Sequence, residues 1–133
     1  VKCNSDPILL DELVRFKHEG EGPWIGFDCA SKEEIRTILE TGTSPDQIIF
    51  ANPIKQPDHI RYADVQGVEL MTLDSLEEID KISNVYPQAK VLLRVQVKGA
   101  HSAGNMDKKT GVDEEECPEL MARIHQKRMN LAG

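Results

Sequence analysis

A chain of 133 residues with 16 basic and 23 acidic side chains carries a formal charge of −7, and it has neither the basic stripe nor the interleaved aromatics that a nucleic-acid partner demands. At 39% hydrophobic and 29% charged residues it reads as globular, enough for one ordinary domain or for part of a larger barrel. No apolar run approaches the ~18 residues of a membrane span and no secretory leader is recognisable, so a cytoplasmic location is expected and no membrane partner.

The first residues, 1–4, read as the tail of a strand. Asp6 followed by Pro7 is a helix start, with a capping carboxylate and proline at the first helical position. Ile8, Leu9, Leu10, Leu13, Val14 and Phe16 then carry an apolar stripe to about His18. A turn-rich stretch over 19–23 leads into a strand over 24–28 that ends on a carboxylate, Asp28. Ser31 with Glu34 three residues later is a capping box, which leaves Cys29 and Ala30 as a very short strand-to-helix loop. The helix runs through Ile35, Ile38 and Leu39 to Gly42.

The same unit then repeats. A strand over 47–51 is followed by a helix from Pro57 to Gly67, and a strand over 68–73 by a second capping box, Ser75 with Glu78. A strand over 90–97, a polar loop over 98–112 and a helix over about 113–130 complete the chain. Both ends are expected to be cut, the first inside a strand and the second where a parallel fold would begin its next one.

Apolar strands alternating with amphipathic helices predict a parallel sheet covered by helices. Five such strands without a reversal signal predict an α/β fold, part of a (β/α)8 TIM barrel, in preference to a complete doubly wound domain. In either architecture the chemistry sits at the carboxyl ends of the strands. The tip residues are Lys2, Asp28, Asn52, Asp74 and Arg94.

Lys2 is either a solvated strand-end lysine or, shielded from water, an amine that can attack a carbonyl. Arg94 interrupts the apolar run Val91-Leu92-Leu93 and cannot shed its charge, so it needs an acceptor. That acceptor is either a ligand oxygen or Asp28, in an ion pair bracing the rim. Asn52 is expected to order a turn, Asp74 to support the helix start beside Ser75, and Glu34 to complete its capping box. Cys3, Cys29 and Cys117 are an odd number at wide spacings, as free thiols in a reducing compartment would be. His18, His59, His101 and His125 show no ligand spacing, and no metal is expected.

Several of these segments taken together resemble a known family. Val1-Lys2-Cys3-Asn4, Gly26-Phe27-Asp28-Cys29-Ala30-Ser31-Lys32 with Glu34, Ala51-Asn52-Pro53 with Lys55-Gln56, Gly67-Val68 with Met71-Thr72 and Asp74-Ser75, and Pro87, Ala89-Lys90 and Leu93-Arg94 resemble eukaryotic ornithine decarboxylase, in the same order. The resemblance is dense from Val1 to Arg94 and thinner to Gly133. It implies that residues 1–133 are the N-terminal portion of an alanine-racemase-like barrel that binds pyridoxal 5'-phosphate, in a homodimer with shared active sites.

By the same resemblance Lys2 is the Schiff-base lysine, Asp28 and Arg94 line the cofactor pocket, and Glu34 stands where the family has an acid close to that pocket. Residues 98–108 correspond to a mobile active-site loop, and Lys109 to a lysine that pairs across the dimer. Departures include Ile54 for a cysteine, Phe50 for a tyrosine and Thr110 for a phenylalanine, the last of which weakens the dimer-loop inference.

The activity implied is decarboxylation of a basic amino acid, with ornithine giving putrescine, and the fragment alone is expected to be inactive. The alternative is a catalytically dead relative of the antizyme-inhibitor kind, against which the retained Lys2 and Asp28 speak. Residues 57–80, where the resemblance puts an antizyme-binding surface, hold Arg61 against seven acids, so antizyme binding is not expected. Apart from the resemblance, a phosphate-binding barrel using Asp28 as a base also fits.

Overall fold

The computed structural model describes residues 1–2, 4–18, 25–96 and 111–133. Among them are five strands, β1 (Phe27–Cys29), β2 (Ile48–Phe50), β3 (Leu70–Leu73), β4 (Lys90–Leu93) and β5 (Asn130–Leu131), forming one sheet in the order β1-β2-β3-β4-β5. All four pairings are parallel, in the registers Asp28↔Ile49, Ile49↔Leu70, Leu73↔Leu93 and Val91↔Leu131. Each crossover is a helix: α2 (Lys32–Glu40), α3 (Pro57–Gln66), α4 (Leu76–Val85) and α5 (Cys117–Gln126), with α1 (Pro7–His18) ahead of the sheet.

The helix starts follow their local chemistry. Asp6 Oδ1 accepts the Ile8 N–H at 2.9 Å, Ser31 Oγ the Glu34 N–H at 3.2 Å and Ser75 Oγ the Glu78 N–H at 3.3 Å. Proline opens α1, α3 and the short 3-10 turn Pro45–Gln47, where a missing N–H costs nothing. Helix α3 stops at Gly67, whose φ of 75° is the left-handed conformation that glycine adopts without a steric cost.

Because successive strands are neighbours, right-handed crossovers place the helices on one side of the sheet. Side chains alternate accordingly. Phe27, Cys29, Ile48, Phe50, Met71, Leu73 and Val91 point into the core, where they meet Ile35 and Ile38 of α2, Ile60 of α3, and Ile79 and Ile82 of α4. Each of these Phe, Ile, Leu, Met or Val side chains taken fully out of water contributes about 1.5–3 kcal/mol. Asp28, Ile49, Leu70, Thr72 and Leu92 project to the other face, which is only half-buried or exposed.

Three expectations need correction. Residues 1, 2 and 4 are not in a strand, because a strand exists only through its ladder; the fifth strand is instead Asn130–Leu131, whose two residues are too few to show a period. The strand expected over 24–28 is Phe27–Cys29, with Trp24 outside the described residues. The final helix is Cys117–Gln126 rather than 113–130, and Arg128, at φ 55°, turns the chain into β5.

Beyond β4 the chain keeps one further parallel contact. Val112 donates to the Arg94 carbonyl at 2.9 Å and accepts from the Gln96 N–H at 2.9 Å. Gly111 makes that approach possible, since a Cβ there would lie 2.9 Å from the Gln96 backbone nitrogen.

Candidate active site at the carboxyl edge of the sheet

The loops leaving β1, β2 and β3 meet at one edge of the sheet. Asp28 alternates out of the core between buried Phe27 and Cys29, so its carboxylate stands on the uncovered face. Lys2 reaches it: Nζ lies 2.9 Å from Asp28 Oδ1 and donates to the Ala51 carbonyl at 3.3 Å. The two side chains are about half exposed, so the pair is accessible to a ligand from solvent.

Around this pair the backbone is tied down. Ala51 N–H donates to the Cys29 carbonyl at 2.8 Å, joining the tips of β1 and β2. Asn52 Nδ2 donates to the Ala30 carbonyl at 3.1 Å while its Oδ1 accepts the Ile54 N–H at 3.2 Å, ordering the turn as expected. Glu34 Oε2 accepts the Ala30 N–H at 2.8 Å, one residue earlier than a capping box requires, so its carboxylate braces the loop that follows the strand of Asp28.

Arg94 is not paired with Asp28. Its guanidinium holds Asp74, with Nε 3.1 Å from Asp74 Oδ2 and Nη2 on the same oxygen. The register explains this. Leu73 is opposite Leu93, so Asp74 and Arg94 are the next residues on adjacent strands, whereas β1 and β4 are separated by three spacings of about 4.8 Å each. Sequence spacing names the tip residues; only the strand order says which two meet.

A second group of charges was not anticipated. Lys55, in the loop between β2 and α3, has a side chain 0% exposed, and its Nζ donates to the carbonyls of Asn52 at 2.9 Å and Thr72 at 2.6 Å and lies 3.0 Å from Glu78 Oε1. Burial lowers its affinity for the proton and Glu78 partly restores it. Glu78 also accepts the Lys55 N–H at 3.0 Å, so beyond receiving Ser75's cap it does not close the expected box. A lysine in a loop has no periodicity to betray its burial. The available signal was the glutamate placed in the first turn of α4, where a carboxylate can face both the helix amides and the neighbouring loop.

Cys29 is 0% exposed, and burial, reinforced by the Glu34 carboxylate, pushes its thiol up to about 12, which leaves it protonated and unreactive at neutral pH. Among the described residues no group of three His, Cys, Asp or Glu could hold a metal ion. Residues 98–108, Lys109 and Thr110 lie outside the described residues.

A primary amine held by a carboxylate, at the open carboxyl edge of a parallel sheet, suits a ligand with a carbonyl: the amine is the group that can bond to it and the carboxylate fixes where that amine stands. The residues present fit pyridoxal phosphate in this respect: its aldehyde needs an amine, and Lys2 Nζ is one that solvent reaches.

The model of a family described as "Pyridoxal-dependent decarboxylase, pyridoxal binding domain" matches residues 1–133. The chain is 36% identical to ornithine decarboxylase of Schizosaccharomyces pombe over 133 residues, all of this chain and 29% of that protein. It is 34% identical to antizyme inhibitor 2 of Xenopus laevis, again over its whole length and over 28% of that protein. The solved arginine decarboxylase of Paramecium bursaria Chlorella virus superposes on all of the chain, and on 34% of its own, with a TM-score of 0.88 at 34% identity. The chain thus spans under a third of the length of these curated relatives.

Proposed function

Because the chain belongs to the pyridoxal-binding domain family of the pyridoxal-dependent decarboxylases, we propose that it forms the cofactor-holding part of a basic-amino-acid decarboxylase, with Lys2 as the lysine that carries pyridoxal phosphate and L-ornithine as the substrate that yields putrescine. The observation that carries the reading is the Lys2 amine held 2.9 Å from Asp28 at the strand tips. Ornithine as substrate draws on the likeness to the yeast enzyme; the likeness to an arginine decarboxylase makes arginine the first competitor.

When bound, the cofactor supplies the electron sink for the charge left behind as carbon dioxide departs. Lys2 provides the amine, and Asp28, 2.9 Å from Nζ, holds it in place at the edge of the sheet. Arg94, oriented by Asp74, offers a fixed cation on the same face of the sheet. Glu34 works one step back, through the Ala30 N–H, by fixing the loop behind Asp28. A homodimer and a cytoplasmic location belong to the same proposal.

The likeness to antizyme inhibitor 2 supplies the alternative, a binding protein without catalysis. The intact Lys2–Asp28 pair favours the enzyme. Weak or no antizyme binding is part of the proposal, since residues 57–80 are acidic, with Glu78 buried and Asp74 engaged by Arg94.

The test uses the protein at its full natural length. Incubation with pyridoxal phosphate and reduction with borohydride should leave a phosphopyridoxyl label on Lys2, located by peptide mass spectrometry, and carbon dioxide release should be fastest with ornithine. A folded protein with no label on Lys2 refutes the cofactor assignment; a label with faster turnover of arginine refutes the substrate.

A further inference from the structure

We propose that Lys55 is a positioning residue for the cofactor lysine: its buried ammonium sets the Ala51–Asn52 backbone against which Lys2 and Ala30 are held. The inference rests on Lys2 being the residue that carries pyridoxal phosphate.

An ammonium has three N–H donors, and here all three meet acceptors, the carbonyls of Asn52 and Thr72 and the carboxylate of Glu78. The residue is gripped along its backbone as well. Its N–H goes to Glu78 Oε1 at 3.0 Å, and its carbonyl accepts from Lys81 Nζ at 2.8 Å. Lys81 Nζ is also 2.5 Å from Glu78 Oε2, so the first two turns of α4 close around the loop. Lys55 Nζ also lies over the Phe50 ring, 5.7 Å from its centroid.

Burying a charge in this way is costly, and a loop needing only to connect β2 to α3 could use an apolar side chain at the same place. What the charge adds is direction. It draws the carbonyls of Asn52 and Thr72 toward one point, which joins the tips of β2 and β3 beyond the end of their ladder. With Asn52 anchored there, the Ala51 carbonyl faces Lys2 Nζ, and the Asn52 side-chain Nδ2 donates to the Ala30 carbonyl just beyond the strand that carries Asp28. The contacts of Glu78 with Lys55, of Lys55 with Asn52 and of Ala51 with Lys2, joined by the Ala51–Asn52 peptide bond, run as one line from α4 to Lys2.

Two variants of the full-length protein separate positioning from bracing. Lys55→Met removes the ammonium and keeps the stem. Lys55→Met combined with Glu78→Met replaces the buried pair by apolar side chains, an exchange that is often neutral or stabilising for a fold. Thermal midpoint, the dissociation constant for pyridoxal phosphate and the induced circular dichroism of the bound cofactor are measured for both. Positioning predicts that the double variant regains the thermal midpoint while the cofactor stays about tenfold more weakly bound, with altered dichroism. Return of all three to wild-type values overturns the proposal.

Should neither variant fold, Lys55→Arg decides, because it keeps a buried cation opposite Glu78 while its planar guanidinium cannot repeat the ammonium's bonds to the Asn52 and Thr72 carbonyls. Slower borohydride labelling of Lys2 and altered dichroism support the line of contacts; wild-type values for both overturn it. Failure of the cofactor reading looks different, since wild-type protein would then carry no label on Lys2. A labelled wild type with unchanged variants overturns the role of Lys55 alone.

Discussion

Asp28 and Arg94 stood out as charges because each breaks an apolar pattern at a strand tip, where a charge has to be explained, whereas Lys2 was read at a strand tip and lies in no strand. The partners of Asp28 and Arg94 were not legible, since pairing depends on strand order: Asp28 goes to Lys2 and Arg94 to Asp74. Lys55 was illegible because nothing local to a loop residue reports that four backbone and side-chain groups will close over it. Cys29, by contrast, invites misreading as a nucleophile beside a lysine and two carboxylates. Its thiol, raised from 9.0 to about 12 chiefly by burial, keeps its proton in the native state through a range where the unfolded chain loses it. The stabilising contribution of this thiol is therefore complete below pH 9.0 and is lost as pH rises toward about 12. Alkylation shows the same sign: in native protein Cys29 should stay unmodified by iodoacetamide as pH passes 9.0, while in denaturant its rate climbs. Peptide mass spectrometry reads both, and native Cys29 reacting at the denatured rate near neutral pH would contradict its burial. The Arg94 pair gives a second expectation. Asp74→Asn keeps the shape but removes the charge that orients the guanidinium, so cofactor affinity should fall about tenfold while the fold persists, and equal affinity in a binding titration would place Arg94 outside the pocket.

Elements were legible to the extent that their ends carry local chemistry. Serine, aspartate and proline at the starts, and Gly67 at the end of α3, act through bonds within a few residues and so can be read from the string. Ser31→Ala should cost about 1 kcal/mol in urea unfolding, the ordinary loss of an N-cap, and Ser75→Ala about the same. Glu34→Ala should add a loss that Ser31→Ala lacks, weaker cofactor binding, because Glu34 alone reaches the Ala30 amide. What local chemistry does not announce is contact with a distant strand. Residues 98–112 read as a polar loop, yet Val112 bonds to both Arg94 and Gln96, and Gly111 is the residue that lets it in. Gly111→Ala would press a methyl to 2.9 Å from the Gln96 nitrogen, against backbone that cannot rotate away. Faster amide exchange confined to Val112 and Gln96 is the expected result, and unchanged protection there would show that the chain yields elsewhere.

At the scale of the whole molecule the parallel βα repeat is what the alternation of apolar strands and capped helices dictates, down to helices on one side of the sheet. The other side makes the sharpest expectation about these 133 residues by themselves. Parallel sheets are ordinarily covered on both faces, and here Ile49, Leu70 and Leu92 remain only half-buried beside exposed Asp28, with Leu131 37% exposed at the margin. Within the described residues β1 and β5 are also edges, each pairing on one side only, and an unpaired parallel edge is a template for another chain. Opposing this is the charge of −7, which keeps copies apart at low ionic strength but acts through water and is screened within about 10 Å at 0.1 M salt. The apolar face is not screened. Association of the isolated chain should therefore increase with protein concentration and increase further with added salt, and the material should release no carbon dioxide from ornithine. Sedimentation velocity over a concentration series at two ionic strengths measures the first, and a radiometric assay on the same samples the second. A monomer at every concentration and salt would mean that the uncovered face is protected by residues outside those described, and turnover by that monomer would mean that Lys2, Asp28 and Arg94 suffice for the chemistry without a second set of strands.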